Sequence, residues 1–149
     1  MNLCKKNIPS DTFTTVDLSD VIEIRRYTRN LAGTLGFSKT NQTQITSAVS
    51  EICENVIDFA IRGHVNVKSV NFETRRGILI KVTDSGPGIL DISAAVKDGY
   101  STRNRLGLGL PGTKRFMDIF KVQSKPDDGT KVVMCKWVTD RDRFMLQSV

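Results

Sequence analysis

The stretch ILIKVTDSGPGILD, residues 78–91, limits what this chain can fold into more than any other. An aliphatic run of strand character ends at Asp84, and two glycines and a proline follow at once. Such a junction is either an ordinary hairpin loop or the floor of a ligand pocket. Six of the eleven glycines (Gly86, Gly88, Gly99, Gly107, Gly109 and Gly112) lie between 86 and 112. Glycine lets backbone approach a ligand closely, and clustering over two successive loops exceeds what hairpins need. The second cluster, RLGLGLPG, runs directly into the helix-like PGTKRFMDIF, whose first amides offer an anion site. It fits neither the G-x-x-x-x-G-K-[ST] loop nor a G-x-G-x-x-G after a strand, so a phosphate here would be held in another way.

The rest of the chain narrows the class. Its 149 residues, 39% hydrophobic and 26% charged, suit one soluble domain with a real core. No apolar run approaches a membrane span, and MNLCKKNIPSDTF lacks a signal-peptide core, so a cytoplasmic location without membrane contact is expected. Three widely spaced cysteines (Cys4, Cys53, Cys135) suggest reduced thiols rather than disulfides or a zinc cluster. The net charge of +6 is spread over scattered residues such as Arg25, Arg26, Arg29, Arg62, Arg75, Arg76, Lys114 and Arg115, interleaved with acids. With no basic block and no aromatic stacking motif, nucleic-acid binding ranks last, behind an acidic protein partner or phosphates.

Along the chain, residues 11–16 alternate like a short edge strand. Val21, Ile24, Leu31 and Leu35 recur at helical spacing up to a stop at Gly36. A second helix is predicted from about 38–41 to 61, with Ile45, Ala48, Val49, Ile52, Val56, Phe59 and Ala60 forming one stripe and Gly63 its C-cap. His64, the only histidine, reads as a loop or capping residue. Strands are predicted over 65–72 and 78–83, joined by ETRRG. A short helix over 91–99, a helix over 111–120, and a closing strand–DDGT–strand follow. The segment 139–149 carries no assignment. Early helices and late, closely linked strands favour an α+β fold, a two-layer sandwich with a mixed, mostly antiparallel sheet and helices on one face.

Within SEICENVIDFA, Glu51 and Asn55 are four apart and share a helix face beside the apolar stripe. An amide oxygen suits Mg²⁺, and a carboxylate nearby can orient or deprotonate a hydroxyl. A solvated face carrying Glu51, Glu54, Asn55 and Asp58 is the alternative reading of the same residues.

Taken together, Glu51 to Asn55, Asp84-Ser85-Gly86-Pro87-Gly88, Gly107-Leu108-Gly109-Leu110 and Gly129-Thr130 resemble, in order, the motifs of the Bergerat-fold (GHKL) ATP-binding family over roughly residues 11–138. The resemblance implies ATP and Mg²⁺ as ligands. Asp84 is then expected to accept a hydrogen bond from the adenine amino group, with Thr130 assisting and Gly86 and Gly88 letting the loop bend round the base. Asn55 would hold Mg²⁺, and Glu51 would act on the attacking hydroxyl. Gly107, Leu108, Gly109 and Leu110 would hold phosphate oxygens. Arg105 is expected either to reach the γ-phosphate or to be a solvated residue of a short lid, 100–106.

The length leaves no room for the extra domain of clamp ATPases, and His64 is not placed like the phospho-acceptor of a sensor kinase. The strings TSAVSEICENV, DSGPGILDISAAVKDGYST, GLGLPGTKRFMDIF and GTKVVMCKW resemble the small stand-alone serine/threonine kinases and anti-sigma factors of bacterial partner-switching pathways, the stressosome kinases above all. That resemblance implies phosphorylation of Ser or Thr on STAS-domain proteins, then binding to a downstream effector such as a PP2C-type phosphatase. The rival expectation is an interaction module that uses ATP as a structural ligand and works by sequestration.

Overall fold

The computed structural model describes residues 10–15, 17–59, 62–85, 110–124 and 129–147. Helix α1 (Leu18–Leu35) begins at Asp17, whose Oδ1 accepts from the amides of Ser19 (2.9 Å) and Asp20 (3.2 Å). Asp20 Oδ2 in turn accepts from the Asp17 amide at 3.1 Å, completing a capping box. Gly36, at φ 99°, closes the helix as read from the sequence. Helix α2 (Lys39–Phe59) buries Ile45, Ala48, Val49, Ile52, Cys53 and Val56, the predicted stripe as far as Val56 with a cysteine added; the Phe59 side chain and Ala60 lie outside what is described.

Among the described residues five strands form one sheet in the order β1-β2-β3-β5-β4, and its four pairings are antiparallel. They are β1 (Ser10–Thr15), β2 (Gly63–Phe72), β3 (Arg75–Asp84), β4 (Ile119–Ser124) and β5 (Thr130–Trp137). As expected, β1 is an edge strand. Strand alternation sends Val65, Val67, Ile78, Ile80, Val82, Val132 and Met134 to one face, where they are buried against α1 and α2. This is the α+β sandwich predicted, with the core between helices and sheet.

Several local expectations needed correction. Gly63 is not a helix cap but the first residue of β2, and His64 is an exposed strand residue paired with Thr83. The β2–β3 turn is only two residues long, because Glu73 takes φ 56° and lets pairing run up to Phe72 and Arg75. Helix α3 (Leu110–Phe116) is shorter than predicted. Lys136 Nζ donates to Phe116 O at 2.8 Å and the Asp118 amide to Cys135 O at 2.9 Å, so the sheet claims Ile119 and Phe120 for β4. The predicted helix over 91–99 lies outside the described residues.

The unassigned segment 139–149 contains helix α4 (Asp140–Gln147). Asp142, buried, accepts from the Ser38 amide (2.9 Å), Asn41 Nδ2 (2.6 Å), and the Thr139 amide (3.0 Å). One carboxylate thus satisfies donors at the starts of both α2 and α4.

Candidate functional site

Register decides what the end of β3 meets. Asp84 pairs with Gly63 of β2 on one side and Thr130 of β5 on the other, and Thr130 pairs with Ser124 of β4. Gly63, Asp84, Thr130 and Ser124 therefore form a row across four strands. Strand alternation puts this row on the helix-bearing face. One step inward on that face the corresponding row is Val65, Val82, Val132 and Val122. A polar line bordered by valines is the kind of floor that fixes a flat heterocycle by its edge while covering its face.

The row is rigidly built. The Thr130 amide donates to Asp84 Oδ1 at 3.2 Å. Ser124 Oγ donates to Gly129 O at 3.0 Å and lies 3.0 Å from Thr130 Oγ1. Gly129 has φ 81°, and a Cβ there would overlap the Asp84 carbonyl oxygen, so only glycine allows this approach. Asp84 and Thr130 are half-buried, placed to present polar atoms without being sealed away.

Helix α2 is brought to the same end of the sheet by close packing. A Cβ on Gly63 would stand 2.5 Å from Val56 Cγ1 and 3.0 Å from Thr83 O, so the missing side chain lets α2 settle on β2. Val56 thereby covers the Gly63 end of the polar row, with Asn55 next in sequence and Glu51 one turn earlier. Glu51, Glu54, Asn55 and Asp58 are all half-buried, which argues against a merely solvated helix face. An oxygen donor of the Asn55 kind, with substrate phosphates and water completing the shell, fits the demands of Mg²⁺.

Of the residues singled out from sequence, Asp84 and Thr130 pair at this end of the sheet, Asn55 and Glu51 lie on α2 beside and one turn before Val56, and the Leu110 backbone starts α3. Gly112 and Thr113 of that helix are buried, and it packs beside α2. Gly86, Gly88, Arg105, Gly107, Leu108 and Gly109 lie outside the described residues. Lys114 and Arg115 are exposed. Sequence reasoning missed Ser124 and the packing role of Gly63. Only the register of the β4–β5 hairpin, which puts Ser124 opposite Thr130, reveals the former.

The two described thiols are buried and free. Burial, with the Glu54 charge adding to it, pushes Cys53 up to about 12. Burial, then Asp118, pushes Cys135 up to about 11. Neither is suited to nucleophilic work. No described helix is long and apolar enough to cross a membrane.

The histidine kinase-like ATPase domain family matches residues 14–136. The serine/threonine-protein kinase RsbT of Bacillus subtilis (strain 168) is 40% identical over 119 residues, 80% of this chain and 90% of that protein. An anti-sigma F factor of Caldanaerobacter subterraneus subsp. tengcongensis is 35% identical over 98 residues, 63% of this chain and 68% of the other. Among solved structures, the mycobacterial sensor histidine kinase MprB superposes with a TM-score of 0.53 at 15% identity, covering 87% of this chain and 97% of that one, a likeness of fold. The chain belongs to the histidine kinase-like ATPase domain family, as a kinase-type member related to the serine/threonine-protein kinase RsbT.

Proposed function

We propose that the chain is an ATP-dependent serine/threonine protein kinase of a bacterial partner-switching pathway, acting on STAS-domain proteins. When released from these, it binds a downstream effector, for which a PP2C-type phosphatase is the candidate. The observation that carries this reading is the Asp84–Thr130–Ser124 row on the helix-bearing face, closed at its Gly63 end by Val56 of α2, the neighbour in sequence of Asn55. Its similarity to RsbT supports the reaction type.

In this reading Asp84 accepts a hydrogen bond from the adenine amino group, and the Thr130 hydroxyl, steadied by Ser124 Oγ, assists at the same edge. Guanine would offer a carbonyl there and leave the carboxylate unmatched. Asn55 would hold Mg²⁺, which when bound spreads phosphate charge. Backbone amides at 107–110 would take phosphate oxygens. Arg105 is the candidate cation for the γ-phosphate. The Ser or Thr oxygen of the substrate forms a bond to the γ-phosphorus as the bridging bond to ADP breaks, and Glu51 accepts the hydroxyl proton or orients it, a contribution of about 10²–10⁴-fold.

The anti-sigma F factor relatives favour a second reading, control of a partner by sequestration with ATP as a structural ligand. Labelled ATP, Mg²⁺ and the STAS proteins of the same pathway separate the two. Glu51→Ala is expected to reduce label transfer at least about 10²-fold with ATP still bound. ATP binding by the wild type without label on any STAS serine or threonine would leave sequestration as the function.

A further inference from the structure

The sheet face away from α1 and α2 carries a second pattern. Register puts Lys68, Leu79, Cys135 and Ile119 in one row across β2-β3-β5-β4. The next row holds Asn66, Lys81, Val133 and Lys121, and the next His64, Thr83, Lys131 and Gln123. At the hairpin end stand Phe72, 61% exposed, and Arg75, whose guanidinium lies 6.0 Å from the Trp137 ring centroid. Ile119 is 37% exposed, and Leu79 and Val133 are half-buried. None of the described strand residues on this face is acidic.

We propose that this face docks an acidic, partly apolar surface of a protein partner that is not the phosphorylated substrate, the effector in the partner-switching reading on which this inference rests. The substrate hydroxyl has to reach the γ-phosphate on the helix-bearing side, so a partner on the opposite face leaves nucleotide and substrate access open. Charge complementarity selects the occupant. Strands about 4.8 Å apart put Lys81 and Lys121 roughly 10 Å from each other across Val133, a spacing that matches carboxylates on a facing protein. Isologous pairing with a second copy would set lysines against lysines. A nucleic acid finds little to stack on, since the centre is aliphatic and the Trp137 ring is already faced by Arg75. Aliphatic centre, Arg–Trp–Phe cluster and surrounding lysines match the anatomy of a protein interface.

The test measures binding of the PP2C-type phosphatase to the purified chain by surface plasmon resonance at low and high salt, with STAS phosphorylation assayed in parallel. Lys81→Glu/Lys121→Glu is expected to weaken phosphatase binding at least about tenfold, mainly by slowing association, and to lose the salt sensitivity of the wild type. Phosphorylation should stay within about twofold of wild type, which also reports a folded enzyme. Lys68→Glu/Lys131→Glu probes the same face independently and should act in the same direction. Unchanged binding in both variants overturns the proposal, as does a short DNA duplex that outcompetes the phosphatase for the wild type. No phosphatase binding by a wild type that does phosphorylate STAS protein overturns this inference alone. Absence of both activities overturns the partner-switching reading with it.

Discussion

Gly129 and Ser124 shape the candidate site through backbone approach and hydrogen bonding. A side chain at 129 would both require φ 81° and collide with the Asp84 carbonyl, so Gly129→Ala should displace the strand end that holds the carboxylate. Ser124→Ala removes one hydroxyl shared between Gly129 O and Thr130 Oγ1. One such hydrogen bond contributes about 1 kcal/mol, so calorimetry should show ATP binding weakened by roughly fivefold, and Ser124→Thr should restore it. Asp84→Ala should be more severe, roughly tenfold to a hundredfold, because a charged acceptor is lost. Asp84 was legible in the sequence because it ends a strand just before a glycine run. Ser124 was not, because only the register of β4 on β5 makes residues six apart neighbours.

At the scale of elements, α4 is tied to the start of α2 by a single carboxylate. Burial alone would raise the Asp142 carboxyl, but hydrogen bonds from Ser38, Thr139 and Asn41 outweigh it and hold the group below the usual carboxylate range. A folded-state value below the unfolded one stabilises fully above the unfolded value, and the contribution is lost as pH falls through the folded value. Acid titration of Asp142→Asn should therefore be flatter than that of the wild type below about pH 4. At neutral pH the same variant should lose about 1 kcal/mol, read as a lowered midpoint in urea. The sequence did not reveal this clamp, since a short, charged terminal segment has little apolar periodicity and Asp142 is more than a hundred residues from its Asn41 partner. By contrast α1 and α2 were legible because each carries its own stripe, and α1 its own caps.

For the whole molecule, the thiol of Cys53 lies in the core shared by helices and sheet, and that of Cys135 is buried on the other face of β5. Both are raised above the ordinary thiol value of 9.0 by burial first and a nearby acid second. A raised folded value means the stabilising difference is present below the unfolded value and is lost as pH rises through the folded one, so alkaline conditions should destabilise the fold. Native protein at about pH 8 should resist alkylation at both positions, and mass spectrometry should find both modified once the chain is unfolded.

The sequence by itself determined the family, the class of fold and the kinase class, because those rest on local strings: an Asp before glycines, Glu51 and Asn55 one helical turn apart, apolar residues at helical or strand period. Tertiary structure alone decided that Asp84, Thr130 and Ser124 form one row. It decided too that Gly63 lets α2 close on that row, that α3 gives way early to β4, and that the lysines of four strands share a face. These depend on register and on backbone approach between distant segments, and no stretch of local sequence encodes either.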